Sequence, residues 1–302
     1  MADASVAVCA HDAGAASHIA AWLAPYQKKI SLCLEGPARI LFANCLVSLP
    51  RYSLASSIEN AHLLISGTGW SSDLEHNARV LARQRGIPSV AVLDHWVNYR
   101  SRFNFAGQEV LPDQLWVADS EAKALAQLEF PDLPVLQLPN QWITDLSQSV
   151  ASLRLYPPKY PARRLIYFLE PIHAHWTGGP WNDEKCELQG LRFWLQKLSL
   201  LSEQGWIAPL ANLDKLLLRP HPSEPSGKYD SFIQEARRNW PIHLDQSSTL
   251  ADSLAWADMA FGCETQALVA ALSCGLPAFS TIPPWAPSCR LPQSELQHLN
   301  LL

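Results

Sequence analysis

Residues 257–280 read ADMAFGCETQALVAALSCGLPAFS, and this stretch decides the fold class. The apolar run at 259–261 predicts a short buried strand, and residues 264–274 have the composition of a helix that Gly275-Leu276-Pro277 ends. Residues 277–280 predict a second strand. A strand, a helix and another strand in this order form a βαβ unit, and such units build a parallel sheet covered by helices. The stretch therefore predicts an α/β fold.

The same alternation extends over the whole chain. A Pro-rich break, LYPPKYP at 155–161, interrupts it and predicts a linker at about 156–162. We therefore expect two Rossmann-like, doubly wound domains, at 1–155 and 163–302. Further strands are predicted at 5–10, 30–34, 63–66, 89–93, 114–118, 135–138, 164–169, 215–218 and 242–244.

Length and composition agree with this division. The chain has 302 residues, which suits two domains of about 150 residues each. Its net charge of −5 argues against a nucleic-acid partner. No apolar run approaches the ~18 residues that predict a membrane span, so we expect no integral membrane segment. Seven cysteines without paired spacing and an N-terminus without a basic signal region predict a cytoplasmic protein with reduced thiols.

Polar residues follow a strand in the segment 218–224, LRPHPSE. Ligands of parallel sheets bind at the carboxyl ends of strands, which is where this loop lies. Arg219 offers a forked cation for a phosphate, and His221 can donate a hydrogen bond or a proton to a leaving phosphate. A Pro-rich turn with solvated side chains is the alternative.

A second group of polar residues surrounds the deciding stretch. Ser247, Ser248 and Thr249 precede a predicted helix. Their hydroxyls either cap this helix or bind a phosphate. Gly262 permits a close backbone approach after its strand. Glu264, Thr265 and Gln266 open the next helix, whose first amides suit a phosphate or a ribose hydroxyl. All of these are candidate donor-binding residues.

The order of these motifs resembles the nucleotide-sugar domain of GT-B glycosyltransferases. It is similar to bacterial polysialyltransferases and related capsule enzymes, and to the non-hydrolysing UDP-GlcNAc 2-epimerases. The resemblance implies a GT-B fold with an interdomain cleft and a role in polysaccharide biosynthesis. It also implies that His221, Ser247 and Ser248 contact the nucleotide phosphate. Glu264-Thr265 stands where many relatives have Ser-Thr or Ser-Ser, so the donor nucleotide, CMP or UDP, stays open.

The first half offers candidates for a catalytic base. Asp12 follows the first predicted strand, and Asp94 and His95 follow a later one. Each could take the proton of an acceptor hydroxyl, and Asp12 could equally be a helix cap. We expect acceptor contacts from Gly14, from Trp96 and from Arg100.

Together these features predict a glycosyltransferase that moves a sugar from a nucleotide sugar to a glycan, lipid-linked or protein acceptor. Glu170, at the end of a strand, is a further candidate donor ligand. The resemblance implies catalysis without a metal or another cofactor, with the nucleotide sugar as substrate. A nucleotide-sugar epimerase and a non-catalytic nucleotide- or glycan-binding module are the alternatives. The apolar tail could mediate a homodimer.

Overall fold

The computed structural model describes residues 5–26, 29–45 and 51–302, and the chain divides into two compact units. The first unit is Met1–Trp142 and the second is Ile143–Leu302. The segment at 156–162, predicted as a linker, lies within the second unit. It follows a helix that begins at Gln141, next to the division, and that the sequence did not predict.

The first unit contains a six-stranded parallel sheet in the order β2-β1-β3-β4-β7-β8. A separate hairpin pairs β5 with β6. The strands are β1 Val6–Ala10, β2 Ile30–Leu34, β3 Leu63–Ser66, β4 Ser89–Leu93, β5 Asn104–Phe105, β6 Gln108–Glu109, β7 Gln114–Val117 and β8 Val135–Gln137. The helices are α1 Ala13–Leu23, α2 Gly36–Cys45, α3 Leu54–Ile58, α4 Leu74–Gln84, α5 Ser120–Glu129 and a 3-10 helix at Arg100–Phe103.

Both faces of this sheet are covered. Val8 and Ala10 of β1 pack in a core with α1 and α2, and Ala7 and Cys9 pack on the opposite face with α3 and α4. Alternate residues of a strand point to opposite faces, so a strand buried on both sides reads as one continuous apolar run. This explains why these strands could be found in the sequence.

The second unit contains a parallel sheet in the order β11-β10-β9-β12-β13-β14. Its strands are β9 Arg164–Phe168, β10 Lys215–Arg219, β11 Ile242–Leu244, β12 Met259–Gly262, β13 Ala278–Ser280 and β14 Gln297–His298. Its helices are α6 Gln141–Leu153, whose first two residues belong to the first unit, α7 Cys186–Glu203, α8 Asp230–Ala236, α9 Leu250–Trp256, α10 Gln266–Ser273 and 3-10 helices at Leu210–Asn212 and Leu299–Leu301.

The two sheet orders fix where ligands can bind in each unit. In doubly wound sheets the ligand site lies outside the carboxyl ends of the strands, at the point where the strand order reverses. That point lies between β1 and β3 in the first unit and between β9 and β12 in the second. In the ranges described, no helix is long and apolar enough to cross a membrane.

Candidate active site

Three loops of the first unit carry acidic side chains to the reversal point. Asp12 follows β1, Glu75 opens α4 after the loop that leaves β3, and Asp94 follows β4. These three strands are neighbours in the sheet. The topology therefore brings two predicted residues, Asp12 and Asp94, to one edge and adds Glu75, which the sequence did not single out.

Glu75 is buried beneath the loops, with 1% of its surface exposed. Its Oε1 accepts a hydrogen bond of 3.0 Å from the backbone N–H of His11, and its Oε2 accepts one of 2.6 Å from that of Gly69. Burial raises the pKa of Glu75 to about 7, and the charge of Asp12 adds to the rise. Near neutral pH this side chain therefore holds a proton part of the time.

Asp12 occupies the N-cap position of α1, but its side chain makes no cap hydrogen bond. Its Oδ1 lies 2.6 Å from Nδ1 of His11. Its other oxygen faces Gly69, where a Cβ would collide with it. Asp12 is therefore turned toward the loop after β3, and its side chain is 29% exposed. An oriented, accessible carboxylate at a strand end is suited to accept a proton.

Asp94 lies against α1 of the same unit. Its carboxylate pairs with Nη1 of Arg102 at 3.3 Å and is 15% exposed. A Cβ at Gly14 would overlap the Asp94 carboxylate. The predicted acceptor contact of Gly14 stays a prediction, and the structure gives this glycine a second role, which is to leave room for Asp94.

The other residues predicted for the first unit have internal partners. Trp96 is 7% exposed, and its indole N–H donates to Asp119 at 3.0 Å. His95 accepts the backbone N–H of Trp96 on Nδ1 at 3.0 Å, and the two rings are 5.5 Å apart. Arg100 pairs with Glu109 and Glu129. Their roles in acceptor binding or catalysis stay predictions. The contacts described here also give each of these residues a role in stabilising the first unit.

In the second unit, Glu170 and Glu264 meet at the reversal point. Glu170 follows β9 and accepts the backbone N–H of Glu264 at 2.5 Å. Burial raises the pKa of Glu170 to about 8, and the neighbouring Glu264 charge adds to the rise. Glu264 itself is paired with Arg290, whose Nη2 lies 2.5 Å from Oε2. A buried carboxyl with a raised pKa and an ion pair thus lie side by side.

Helix α10 begins two residues later than the sequence predicts, so that Glu264 lies before the helix. Thr265 is the N-cap residue, its hydroxyl accepts the N–H of Ala267 at 3.3 Å, and Gln266 is the first helical residue. Gly262 lies close to the neighbouring strand, because a Cβ there would be 2.9 Å from the carbonyl oxygen of Phe168. The close approach at Gly262 is therefore to β9.

Arg219 is paired inside the second unit. Its Nη1 donates to Oδ2 of Asp245 at 2.8 Å, to the Ser253 hydroxyl at 2.8 Å and to the Ser247 carbonyl at 3.1 Å. The side chain of Asp245 is 1% exposed, so the pair is largely removed from water. Phosphate binding by Arg219 stays a prediction, and its charge already neutralises a buried carboxylate.

The hydroxyl residues before α9 divide between two roles. Thr249 caps the helix in a reciprocal capping box with Asp252, which confirms the cap predicted there. The backbone N–H of Ser247 donates to Asp245 at 2.9 Å. Ser248 is exposed between them. The phosphate roles of Ser247 and Ser248 stay predictions.

His221 is exposed and held by its own loop. Its Nδ1 accepts the backbone N–H of Ser223 at 3.2 Å and lies 2.7 Å from the Ser223 hydroxyl. The accepting Nδ1 places the proton of the neutral ring on Nε2. The backbone N–H of His221 donates to Glu224, whose side chain is 2% exposed and also contacts Lys228 and Tyr229. The loop therefore fixes the ring with Nε2 as its donor.

A pocket of about 680 Å³ lies beside these loops in the second unit. It is formed by the segment after β9 and by the first turn of α7, together with Lys228. His173 and His175 line it, and no cluster of three His, Cys, Asp or Glu side chains in the described ranges could hold a metal ion. The expectation of metal-free catalysis stays a prediction.

No protein-family model matches the chain, and no curated protein is similar to it in sequence. Solved structures are similar to it in fold. UDP-GlcNAc 2-epimerase from Neisseria meningitidis bound to UDP-GlcNAc is 13% identical over 91% of this chain and 82% of its own, with a TM-score of 0.59. HepE from Anabaena in complex with UDP and glucose is 12% identical over 92% and 80%, with a TM-score of 0.55. The chain has the GT-B fold.

This similarity confirms the GT-B and epimerase resemblance found in the sequence. UDP-GlcNAc 2-epimerase from Methanocaldococcus jannaschii has the same architecture, at 10% identity over 91% of this chain and 83% of its own, with a TM-score of 0.54. At such identities the likeness shows the fold alone. The chemistry of the GT-B chain has to be argued from its own residues.

Proposed function

We propose that this GT-B chain is a glycosyltransferase that uses a nucleotide sugar and activates its acceptor with Asp12. The observation that carries the proposal is the contact between Asp12 and His11 at the reversal point of the first sheet. The ring of His11 orients the carboxylate, and 29% of the Asp12 side chain stays accessible. Asp12 would take the proton of an acceptor hydroxyl while the hydroxyl oxygen attacks the anomeric carbon.

The second unit supplies the groups for the donor. As the bond from the sugar to the phosphate breaks, negative charge develops on the departing nucleotide. The Nδ1 of His221 is an acceptor, which leaves the ring proton on Nε2, and α10 begins with Thr265 as its cap; this ring N–H and the positive helix end are the groups that would stabilise that charge. Two of the similar structures contain UDP or UDP-GlcNAc, which supports a nucleotide sugar as the substrate class.

A nucleotide-sugar epimerase is the second candidate, because Asp12 and Glu75 provide a base and an acid in one place. Both carboxyls lie against Gly69, and the pKa of Glu75 is raised to about 7 by burial. Epimerisation needs one group to remove a proton and another to return it, which such a pair can do. An epimerase consumes the donor alone, whereas a transferase needs an acceptor.

The test is to follow nucleotide release and sugar isomerisation by NMR with UDP-GlcNAc, UDP-glucose and a CMP-activated sialic acid. Each donor is incubated with and without a mixture of soluble oligosaccharides, and with EDTA present. We expect acceptor-dependent nucleotide release from one donor, lost by about 100-fold in Asp12→Asn. Asp132→Asn, an exposed carboxylate of the same unit, is the matched control.

The alternatives give different results in the same assay. Isomerisation of a donor without acceptor would assign the epimerase. Turnover that survives Asp12→Asn would remove Asp12 from the mechanism. Nucleotide binding without turnover of any donor would point to the non-catalytic binding module.

A further inference from the structure

Trp70 differs from the other tryptophans of this chain in its exposure. All twelve tryptophans lie within the described ranges, and Trp70 is the most exposed of them, at 54%. A large aromatic side chain left in water costs free energy that burial would recover. A single exposed aromatic residue is common at a protein surface, but Trp70 lies in the loop after β3, at the edge where parallel sheets bind ligands.

The indole of Trp70 is supported from one side. The guanidinium of Arg102 lies 5.2 Å from the ring centroid, and only 7% of the Arg102 side chain is exposed. Arg102 is held in turn by Asp94 at 3.3 Å and by the carbonyl of Thr68 at 3.2 Å. A cation over one face fixes the ring without covering the other face.

The loop that carries Trp70 also contacts the candidate base. Its neighbour Gly69 donates to Glu75 at 2.6 Å and lies against the carboxylate of Asp12. Trp70 is therefore one residue from the backbone that Asp12 touches. Asp12 and Trp70 thus belong to the loops that follow the neighbouring strands β1 and β3.

We propose that Trp70 is a stacking platform for the pyranose ring of a carbohydrate acceptor. The inference rests on the proposed function and names the acceptor class within it. A pyranose has one face of C–H bonds, which fits the negative π face of an indole, and a rim of hydroxyls. Stacking would leave a rim hydroxyl facing Asp12, whereas a lipid tail or a peptide offers no such ring.

The first experiment observes the indole directly. The full chain is labelled with 5-fluorotryptophan, and the ¹⁹F signal missing from Trp70→Phe is assigned to Trp70. Chitotetraose, cellotetraose, maltotetraose and oligosialic acid are added at about 10 mM, which saturates sites with a Kd near 1 mM. We expect at least one glycan to shift the Trp70 signal. A shift with UDP but with no glycan would assign the ring to the nucleotide base and overturn the proposal, as would no shift at all.

The second experiment uses turnover with the donor found in the assay above. Trp70→Ala should raise the KM for the oligosaccharide about tenfold with little change in KM for the donor. Trp70→Phe should keep the KM for the oligosaccharide close to that of wild type, because phenylalanine retains an aromatic face. Tyr26→Ala is the matched control, because Tyr26 is 70% exposed and lies beyond the far end of α1, about 16 Å along the helix from Asp12.

The outcomes separate this inference from the proposed function. If Trp70→Ala behaves as wild type while Asp12→Asn is inactive, the transferase stands and the stacking proposal fails. If no donor is turned over but the Trp70 signal shifts with a glycan, the acceptor surface stands and the transferase fails.

Discussion

The backbone N–H of Gly69 donates a hydrogen bond of 2.6 Å to Oε2 of Glu75, beneath the loop that carries Trp70. The same carboxyl accepts the N–H of His11 through its other oxygen. One buried side chain thus ties the loop after β1 to the loop after β3. The charge on Glu75 therefore bears on how strongly both loops are held, because an ionised carboxylate accepts hydrogen bonds more strongly than a neutral carboxyl.

Glu75→Gln should change how stability depends on pH. Burial raises the pKa of Glu75 in the folded chain from 4.5 to about 7, so the folded state binds more protons than the unfolded state between these values. The free energy of unfolding contributed by this group then falls as pH rises from about 4.5 to about 7, by up to about 3 kcal/mol. Glutamine does not titrate, so Glu75→Gln lacks this decrease in the free energy of unfolding.

Urea unfolding of both chains at pH 5, 6, 7 and 8 measures the difference. We expect the stability of Glu75→Gln relative to wild type to rise across this window and to level off above pH 7. Glu59→Gln, at an exposed position, controls for the substitution itself. Parallel curves of unfolding free energy against pH for Glu75→Gln and wild type would contradict this prediction, because they would mean that Glu75 has the same pKa in the folded and the unfolded chain.

Gly14→Ala should destabilise the first unit although alanine favours helices. The added Cβ would overlap the carboxylate of Asp94, and relief requires movement of a side chain held by Arg102. We expect a loss of about 1–3 kcal/mol in the free energy of unfolding. In an Asp94→Ala background only a Cβ contact of 3.3 Å remains, so the same substitution should be close to neutral. Equal losses in both backgrounds would mean that Asp94 is not the obstacle.

Arg219→Ala should unfold the second unit more readily, because it leaves the carboxylate of Asp245 buried without its partner. Removing one member of a buried ion pair costs about 3–5 kcal/mol. Arg163→Ala is the matched control, since that arginine and Asp214 are each more than 40% exposed and such pairs contribute at most about 1 kcal/mol. If Arg219→Ala keeps wild-type stability and loses only nucleotide binding, the predicted phosphate role is correct.

Much of the fold could be predicted from the sequence. Strands buried on both faces are continuous apolar runs, and those at 30–34, 63–66 and 89–93 were predicted with the observed bounds. Helix α6 was missed although Ile143, Leu146, Val150 and Leu153 recur at helical spacing, and of its residues only Val150 is buried.

The candidate site was harder to predict because its contacts join distant residues. Asp12 could be chosen because it follows a strand, but Glu75, 64 residues from His11, resembles an ordinary acidic residue in the first turn of a helix. In the same way, Arg219 finds its partner 26 residues later at Asp245. Sequence spacing shows which loops carry polar groups, and only the packed structure shows which of those groups pair with each other.

The most direct measurement is thermal unfolding of the chain with CMP, CDP, UDP, GDP and ADP, for wild type and for His221→Ala. His243→Ala, at an exposed strand position, is the matched control. We expect one nucleotide to stabilise wild type and the control, by about 2.7 kcal/mol at 100 times its Kd, and to lose most of this effect in His221→Ala. No stabilisation of wild type by any of the five nucleotides would contradict the proposal that this chain uses a nucleotide sugar.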